Sequence, residues 1–219
     1  KSHLEGFYYK PRIDWDLLAQ YGDGLIALSG CMGGEIPRLI RDGKDADVEA
    51  AVKRYRDRFG SDFYFELQHR SDIPELRTIN ARLLELSQRH GVPIVATNDV
   101  HYLKHDDAEA QDVLLCLQTK SKQEDRDRLS MMGENYSFRT AGEMSLLFEA
   151  HPEAIANTIR IADACTLELE LDKIQLPAYA LPKGETNESY LKKLCEAGLE
   201  RRYVAHPPTP PLPEGGGEI

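Results

Sequence analysis

Asp99 and His101 stand two residues apart at the end of the stretch Pro93-Ile94-Val95-Ala96-Thr97-Asn98-Asp99-Val100-His101. A carboxylate supplies a hard oxygen and an imidazole a borderline nitrogen, and the two together suit a divalent metal ion. Ile94, Val95 and Ala96 form an apolar run with strand character. In an extended segment, residues i and i+2 point to the same side. The spacing therefore predicts that both side chains leave the end of a buried strand together. An Asp-x-His alone is a weak signal. Its place at a strand end, within a run of strand–helix units, makes it a candidate.

Two earlier stretches have the same design. Leu25-Ile26-Ala27-Leu28 reads as a strand spanning residues 24–29 and runs into Ser29-Gly30-Cys31, then Met32-Gly33-Gly34. Small residues let the chain turn tightly there. Cys31 is then either a ligand at a strand end or a buried thiol. Phe63-Tyr64-Phe65-Glu66-Leu67 reads as the next strand, followed by Gln68 and His69. Glu66 and His69 can be read as ligands, or as a hydrogen-bonded pair or surface feature near a strand end.

Helices must separate these strands. Segments 35–41 and 45–59 have helical character, with Val48, Ala51, Val52, Tyr55 and Phe59 on one face. Pro74 opens a further helix behind Asp72 as cap, Ile79, Leu83, Leu84 and Leu86 make its core stripe, and Gly91 stops it. After His101, Asp106 and Glu109 have capping-box spacing, and Val113, Leu114 and Leu117 are expected to pack that helix. Residues 120–129 read as a charged loop, and 141–148 and 153–164 as two helices. Residues 167–171 are a possible strand. A proline-rich crossing, 176–184, precedes a helix capped by Asn187, with Tyr190, Leu191, Leu194 and Leu199 on one side.

Near the start, Asp14 can cap a short helix through Leu18. Phe7, Tyr8 and Tyr9 beside Lys10 and Arg12 fit stacking plus charge on a single strand of nucleic acid. The plainer reading is a loop that packs its aromatic rings under a helix. Beyond Tyr203, His206-Pro207-Pro208-Thr209-Pro210-Pro211-Leu212-Pro213 and the triple glycine from Gly215 cannot build a core, and the segment is expected to be disordered.

Composition narrows the classes. The chain has 219 residues, 41% of them hydrophobic, enough for one large domain or a domain plus part of another. A formal net charge of -10 gives no overall field for polyphosphate, so a basic nucleic-acid groove would have to lie elsewhere in a larger protein. The four cysteines (Cys31, Cys116, Cys165 and Cys195) have no CxxC spacing, which argues against a zinc ribbon or redox motif. Cys116 and Cys165 are expected to be buried core thiols. No signal peptide or membrane-length apolar run is present, and the expectation is a cytoplasmic protein with no membrane partner.

Repeated strand–helix units build a parallel sheet or a (β/α) barrel, and the candidate ligands all fall at C-terminal strand ends, which in a barrel share one rim. Thiolate, imidazole and carboxylate together suit zinc best, with manganese or iron at the harder positions. Such a metal would activate water against a phosphate ester.

Four stretches carry a family resemblance. They are Leu4-Glu5-Gly6-Phe7-Tyr8-Tyr9-Lys10-Pro11-Arg12-Ile13-Asp14, Gly24-Leu25-Ile26-Ala27-Leu28-Ser29-Gly30-Cys31, Ala96-Thr97-Asn98-Asp99-Val100-His101-Tyr102-Leu103, and Asp107-Ala108-Glu109-Ala110-Gln111-Asp112-Val113-Leu114-Leu115-Cys116. Together the chain resembles, over residues 1–203, the alpha subunits of bacterial DNA polymerase III, replicative polymerases of the C family. The resemblance implies the later part of a polymerase-and-histidinol-phosphatase (PHP) domain over 1–175. It further implies the linker and first helix of the polymerase palm over 176–203, and a Pro/Gly-rich tail over 204–219 that departs from the family.

The implied fold class is α/β, an incomplete and distorted (β/α)7 PHP-type barrel followed by the helical start of the palm. By position Cys31 matches the family's cysteine ligand, and Asp99 and His101 its closing Asp-x-His. Glu66, His69 and His3 match no ligand position. The family's opening His-x-His, its middle ligands and the palm's catalytic carboxylates have no counterpart here. The expectation is therefore a piece of a gene product that does not polymerise alone.

The resemblance implies several partners and cofactors for the whole protein. They are zinc (or manganese or iron) at the PHP site, magnesium for nucleotidyl transfer, DNA and dNTPs, a proofreading exonuclease subunit and a sliding clamp. Three roles follow for the PHP part: phosphoester hydrolysis such as 3′–5′ exonuclease proofreading, a non-catalytic scaffold, or a stand-alone PHP phosphoesterase. The palm-like extension argues against the last.

Overall fold

The computed structural model describes residues 1–70, 73–174 and 176–204. The chain divides into two units, Lys1–Leu167 and Glu168–Ile219. Asp72, the expected helix cap, and the tail beyond Val204 lie outside the described residues.

The centre of the first unit is a parallel sheet of three strands, β3 (Ala27–Leu28), β4 (Phe63–Gln68) and β5 (Ile94–Thr97), in the order β3-β4-β5. Ala27 pairs with Phe63 and Phe65 with Ile94. The parallel sheet expected from the strand–helix alternation is present. β3 is shorter than its apolar run: Gly24 turns into a positive φ of 74°, and Leu25 is left exposed.

Alternation along β4 sends Phe63, Phe65 and Leu67 to one face, where they are buried. There they share a core with Val48, Ala51 and Val52 of α3 (Asp45–Phe59) and with Ile79, Leu83 and Leu86 of α4 (Pro74–His90). These helical positions repeat at three and four residues, the stripe that the sequence displays. Ile36 of α2 (Glu35–Arg41) closes the same core. α4 ends at Gly91 in the left-handed region, φ 63°, which a glycine adopts without a steric penalty. Asp14 caps α1 (Trp15–Tyr21) by accepting from the Leu17 N–H at 2.9 Å.

β5 would expose its outer edge without α7 (Pro152–Ala164). The Pro93 carbonyl accepts from Phe65 on the β4 side, so the Ile94 carbonyl points away from the sheet. The buried Asn157 of α7 donates to that carbonyl at 2.7 Å. An otherwise open strand edge is thereby covered.

Several expectations are corrected. Phe7, Tyr8 and Tyr9 are exposed rather than packed under a helix. They form an antiparallel pair, β1 (Phe7–Tyr8) with β2 (Lys10–Pro11), turning at Tyr9 with φ 59°. Beyond His101, a 3₁₀ turn over His105–Asp107 precedes α5 (Ala108–Thr119), and Asp107 rather than Asp106 accepts the Lys104 N–H at 2.9 Å.

Val113, Leu114 and Leu117 are exposed on α5, while Asp112, Leu115 and Cys116 are buried. The reason is Asp112. Arg128 grips both its oxygens at 2.7 Å and Ser130 donates at 2.8 Å, which fixes that side of the helix inward. Cys116 is the expected core thiol, but Cys165 is exposed, because it lies past the last turn of α7. Residues 167–171 form no strand; Leu167, Leu169 and Leu171 are exposed with no described ladder partner. α6 (Ala141–Leu147) begins in a capping box between Thr140 and Glu143.

In the second unit, α8 (Asn187–Leu199) is capped by Thr186 rather than Asn187, with reciprocal bonds between Thr186 and Ser189. A π-helical turn, Glu200–Val204, follows. Among the described residues no helix is long and apolar enough to cross a membrane.

Candidate metal-ligand pair at the C-terminal end of β5

β5 ends at Thr97, and the chain then makes a sharp turn through Asn98 and Asp99. Asp99 has φ 55°, a left-handed conformation uncommon for a residue with a side chain. The extended geometry expected from Asp99 to His101 is therefore absent. The two side chains still meet: His101 Nε2 lies 3.2 Å from Asp99 Oδ1. The turn, not strand alternation, brings them together.

Residues 98–103 are held by a distant segment, 134–139. His101 N–H donates to the Tyr136 carbonyl at 2.9 Å, and Tyr102 bridges Ser137 in parallel fashion. Asn98 donates to the Ser137 carbonyl at 2.8 Å, and the Tyr102 hydroxyl accepts from the Tyr136 N–H at 3.0 Å. The Tyr136 ring meets the His101 ring edge-on at 5.3 Å.

Arg70 lies beneath this crossing, two residues past β4, with its side chain 2% exposed. One guanidinium nitrogen donates to the Asn135 carbonyl at 3.1 Å. The other donates to the carbonyls of Asn98 and Asp99 at 3.0 and 3.3 Å, and to Asp99 Oδ2 at 3.1 Å. The guanidinium also stacks 4.1 Å from the Tyr136 ring centre. Burial pushes the Tyr136 phenol up, and burial followed by the like charge of Arg70 pulls the neighbouring Arg139 down. Sequence reasoning missed Arg70. The available signal was a lone arginine just past a strand end.

Glu66 and His69 are placed apart from the pair's own contacts. Glu66 accepts from Thr97 Oγ1 at 2.6 Å and Gln68 Nε2 at 3.2 Å. His69 is exposed and touches the Phe148 ring edge-on. Cys31 is exposed, so the buried-thiol reading is corrected. It stands in a tight turn closed by the Gly34 N–H to its carbonyl at 2.7 Å. Gly34 is required there, since a Cβ would lie 2.2 Å from the Ser29 carbonyl oxygen.

A donor separation of 3.2 Å fits two ligands of one ion, because metal–ligand bonds of about 2.0–2.2 Å place neighbouring donors roughly 3 Å apart. Two donors do not complete a site. Among the described residues no group of three His, Cys, Asp or Glu is gathered to hold a metal.

The sequence was compared with known proteins. The PHP domain model matches residues 1–70. Among curated relatives, the DNA polymerase III subunit alpha of Borreliella burgdorferi is 42% identical over 92% of this chain and 18% of its own length. That of Treponema pallidum is 39% identical over 93% of this chain and 18% of its own length. That of Thermus aquaticus is 39% identical over 93% and 17%. The chain spans less than a fifth of the length of these relatives. Similar along 92–93% of its own length to DNA polymerase III alpha subunits and with PHP sequence at its start, the chain belongs to the DNA polymerase III alpha subunit family.

Proposed function

We propose that this chain serves template-directed DNA synthesis as the PHP-bearing segment of a replicative polymerase of the alpha-subunit type. The observation that carries the reading is similarity along 92–93% of the chain to subunits named DNA polymerase III alpha. In this reading β3, β4 and β5 are consecutive strands of a (β/α)7 PHP barrel, residues 1–175 belong to that domain, and 176–203 begin the palm. DNA, dNTPs and magnesium are engaged by the polymerase as a whole, as are a proofreading exonuclease subunit and a sliding clamp.

Within the PHP segment, Asp99 and His101 hold a metal ion with ligands from outside this set; Cys31, the third position matched by the family, is not gathered with them among the described residues. Zinc suits the mixed donors best, with manganese or iron as alternatives. When bound, the ion supplies Lewis acidity and an activated water for phosphoester hydrolysis, including 3′–5′ exonuclease proofreading. Asp99 Oδ1 and His101 Nε2 are the atoms this chain offers to it. The parallel sheet supports the reading, because Cys31, Asp99 and His101 all follow C-terminal strand ends.

A second reading is favoured by one observation: Asp99 Oδ2 is already engaged by buried Arg70. There the crossing is a scaffold that steadies the polymerase and docks its partner. Metal content of the full-length PHP domain, measured against its Asp99→Asn variant, decides between them. The catalytic reading expects bound metal that Asp99→Asn loses. Equal content in the two proteins refutes Asp99 as a ligand and leaves the scaffold.

A further inference from the structure

We infer that the hairpin β1–β2 is a contact site for single-stranded DNA, with Tyr9 as the stacking ring and Lys10 and Arg12 as the cations that meet the phosphates. The choice of DNA rests on the proposed polymerase role, and the site itself on the geometry of residues 3–12.

The hairpin is closed at its base by the Arg12 N–H, which donates to the Gly6 carbonyl at 3.0 Å. Gly6 permits that approach, since a Cβ there would lie 2.0 Å from the Arg12 carbonyl oxygen. Tyr8 is the cross-strand partner of Lys10, and such partners share a face. The Arg12 guanidinium lies 5.7 Å from the Tyr8 ring centre. Tyr8, Lys10 and Arg12 therefore stand together on one side. Phe7 points to the other side, edge-on to His3 at 5.3 Å.

Tyr9 occupies the tip. Its φ of 59° is one that glycine adopts freely and that costs energy for a residue with a Cβ. The tyrosine held there is 81% exposed and meets Tyr8 edge-on at 4.7 Å. A ring in that place adds nothing to the core. It suits a base, because every base offers a π-face to an aromatic ring.

Charge points the same way. The chain as a whole is acidic, but residues 1–12 carry Lys1, Lys10 and Arg12 against Glu5 alone. Glu5 is already paired with Lys1. Among the described residues, neither Lys10 nor Arg12 has a carboxylate partner. Rings beside unpaired cations match what a single strand presents, bases to stack and phosphates to neutralise. A protein partner covering the same face would bury both cations and would have to bring carboxylates of its own.

The test is fluorescence anisotropy of a labelled oligothymidylate of about ten nucleotides, within the range of single-strand site sizes, titrated with the whole chain at low salt. Tyr9→Gly removes the ring and relieves the backbone strain, so weaker binding in it cannot come from a destabilised hairpin. It is expected to weaken binding about 5- to 150-fold, the range for one base stacked on one ring, while Tyr9→Phe binds as the parent does. Contacts to two phosphates give a log–log salt slope of about −1.4, and Arg12→Gln should halve it. No binding by the parent overturns the site, as does parent-like affinity in Tyr9→Gly or an unaltered salt slope in Arg12→Gln. Every group involved lies within residues 3–12, so segments outside this chain cannot rescue a failure. The polymerase reading stands on similarity along the chain and survives that failure, which would leave the rings to a protein contact.

Discussion

Asn157 is the side chain through which α7 covers the edge of the sheet, and its removal has a size that can be worked out. It is 5% exposed, and its amide donates to the Ile94 carbonyl at 2.7 Å. Asn157→Ala leaves that buried carbonyl without a donor, which costs about 1–3 kcal/mol. The higher helix propensity of alanine offsets about 0.5 kcal/mol of this. Asn157→Asp has nearly the same shape but presents an acceptor to an acceptor. A buried charge without a partner costs about 3–5 kcal/mol, so the aspartate variant should be the worse of the two.

Trp15, the only tryptophan, reports on this unit, since it packs edge-on against Tyr55 at 4.8 Å. Urea unfolding followed by Trp15 fluorescence is then the assay. With a slope of about 2 kcal/mol per molar urea, the midpoint should fall by roughly 0.5–1 M for alanine and roughly 2 M for aspartate. Alanine within about 0.5 kcal/mol of the parent refutes the reasoning, as does aspartate no worse than alanine.

Gly34→Ala places a Cβ against the Ser29 carbonyl and should force open the turn that carries Cys31; the thiol's reaction rate with a disulfide reagent should change while that of buried Cys116 does not. The Arg128 guanidinium holds the Asp112 carboxyl below its ordinary value of 3.8. Because the folded value is the lower one, the pair's contribution is present above about pH 4 and is lost as pH falls through the folded value. Asp112→Asn should therefore flatten the acid limb of a stability–pH curve below about pH 4, and an unchanged limb would count against the pairing. The test on Asp99→Asn completes the set.

Local signals in the sequence were read well. The bounds of α2, α3 and α4 follow from apolar spacing, Pro74 and Gly91, all of which act within a few residues. The strands were legible as apolar runs, and their parallel arrangement from the helices between them. The face of α5 was not legible, because Asp112 is turned inward by Arg128, a partner 16 residues away in a charged loop. The pair Asp99 and His101 was legible by type and spacing, but for the wrong geometric reason. Nothing in a strand-end pattern reveals a left-handed turn held by an arginine whose acceptors include a carbonyl 65 residues further on. Contacts of that kind belong to the tertiary structure alone. The pairing of residues 98–103 with 134–139 was missed for the same reason.

The order β3-β4-β5 is also the order of synthesis. Each strand pairs with the one made just before it, Ala27 with Phe63 and then Phe65 with Ile94. The two closures span similar lengths of chain, so their entropic costs differ by only a few tenths of a kcal/mol. A nascent chain can thus lay down this sheet strand by strand as it leaves the ribosome, without waiting for a distant partner. The crossing at Asp99 is different. It needs residues 134–139 before Arg70 has the last of its acceptors, the Asn135 carbonyl, so the turn bearing the candidate ligands is completed only after the sheet beneath it exists.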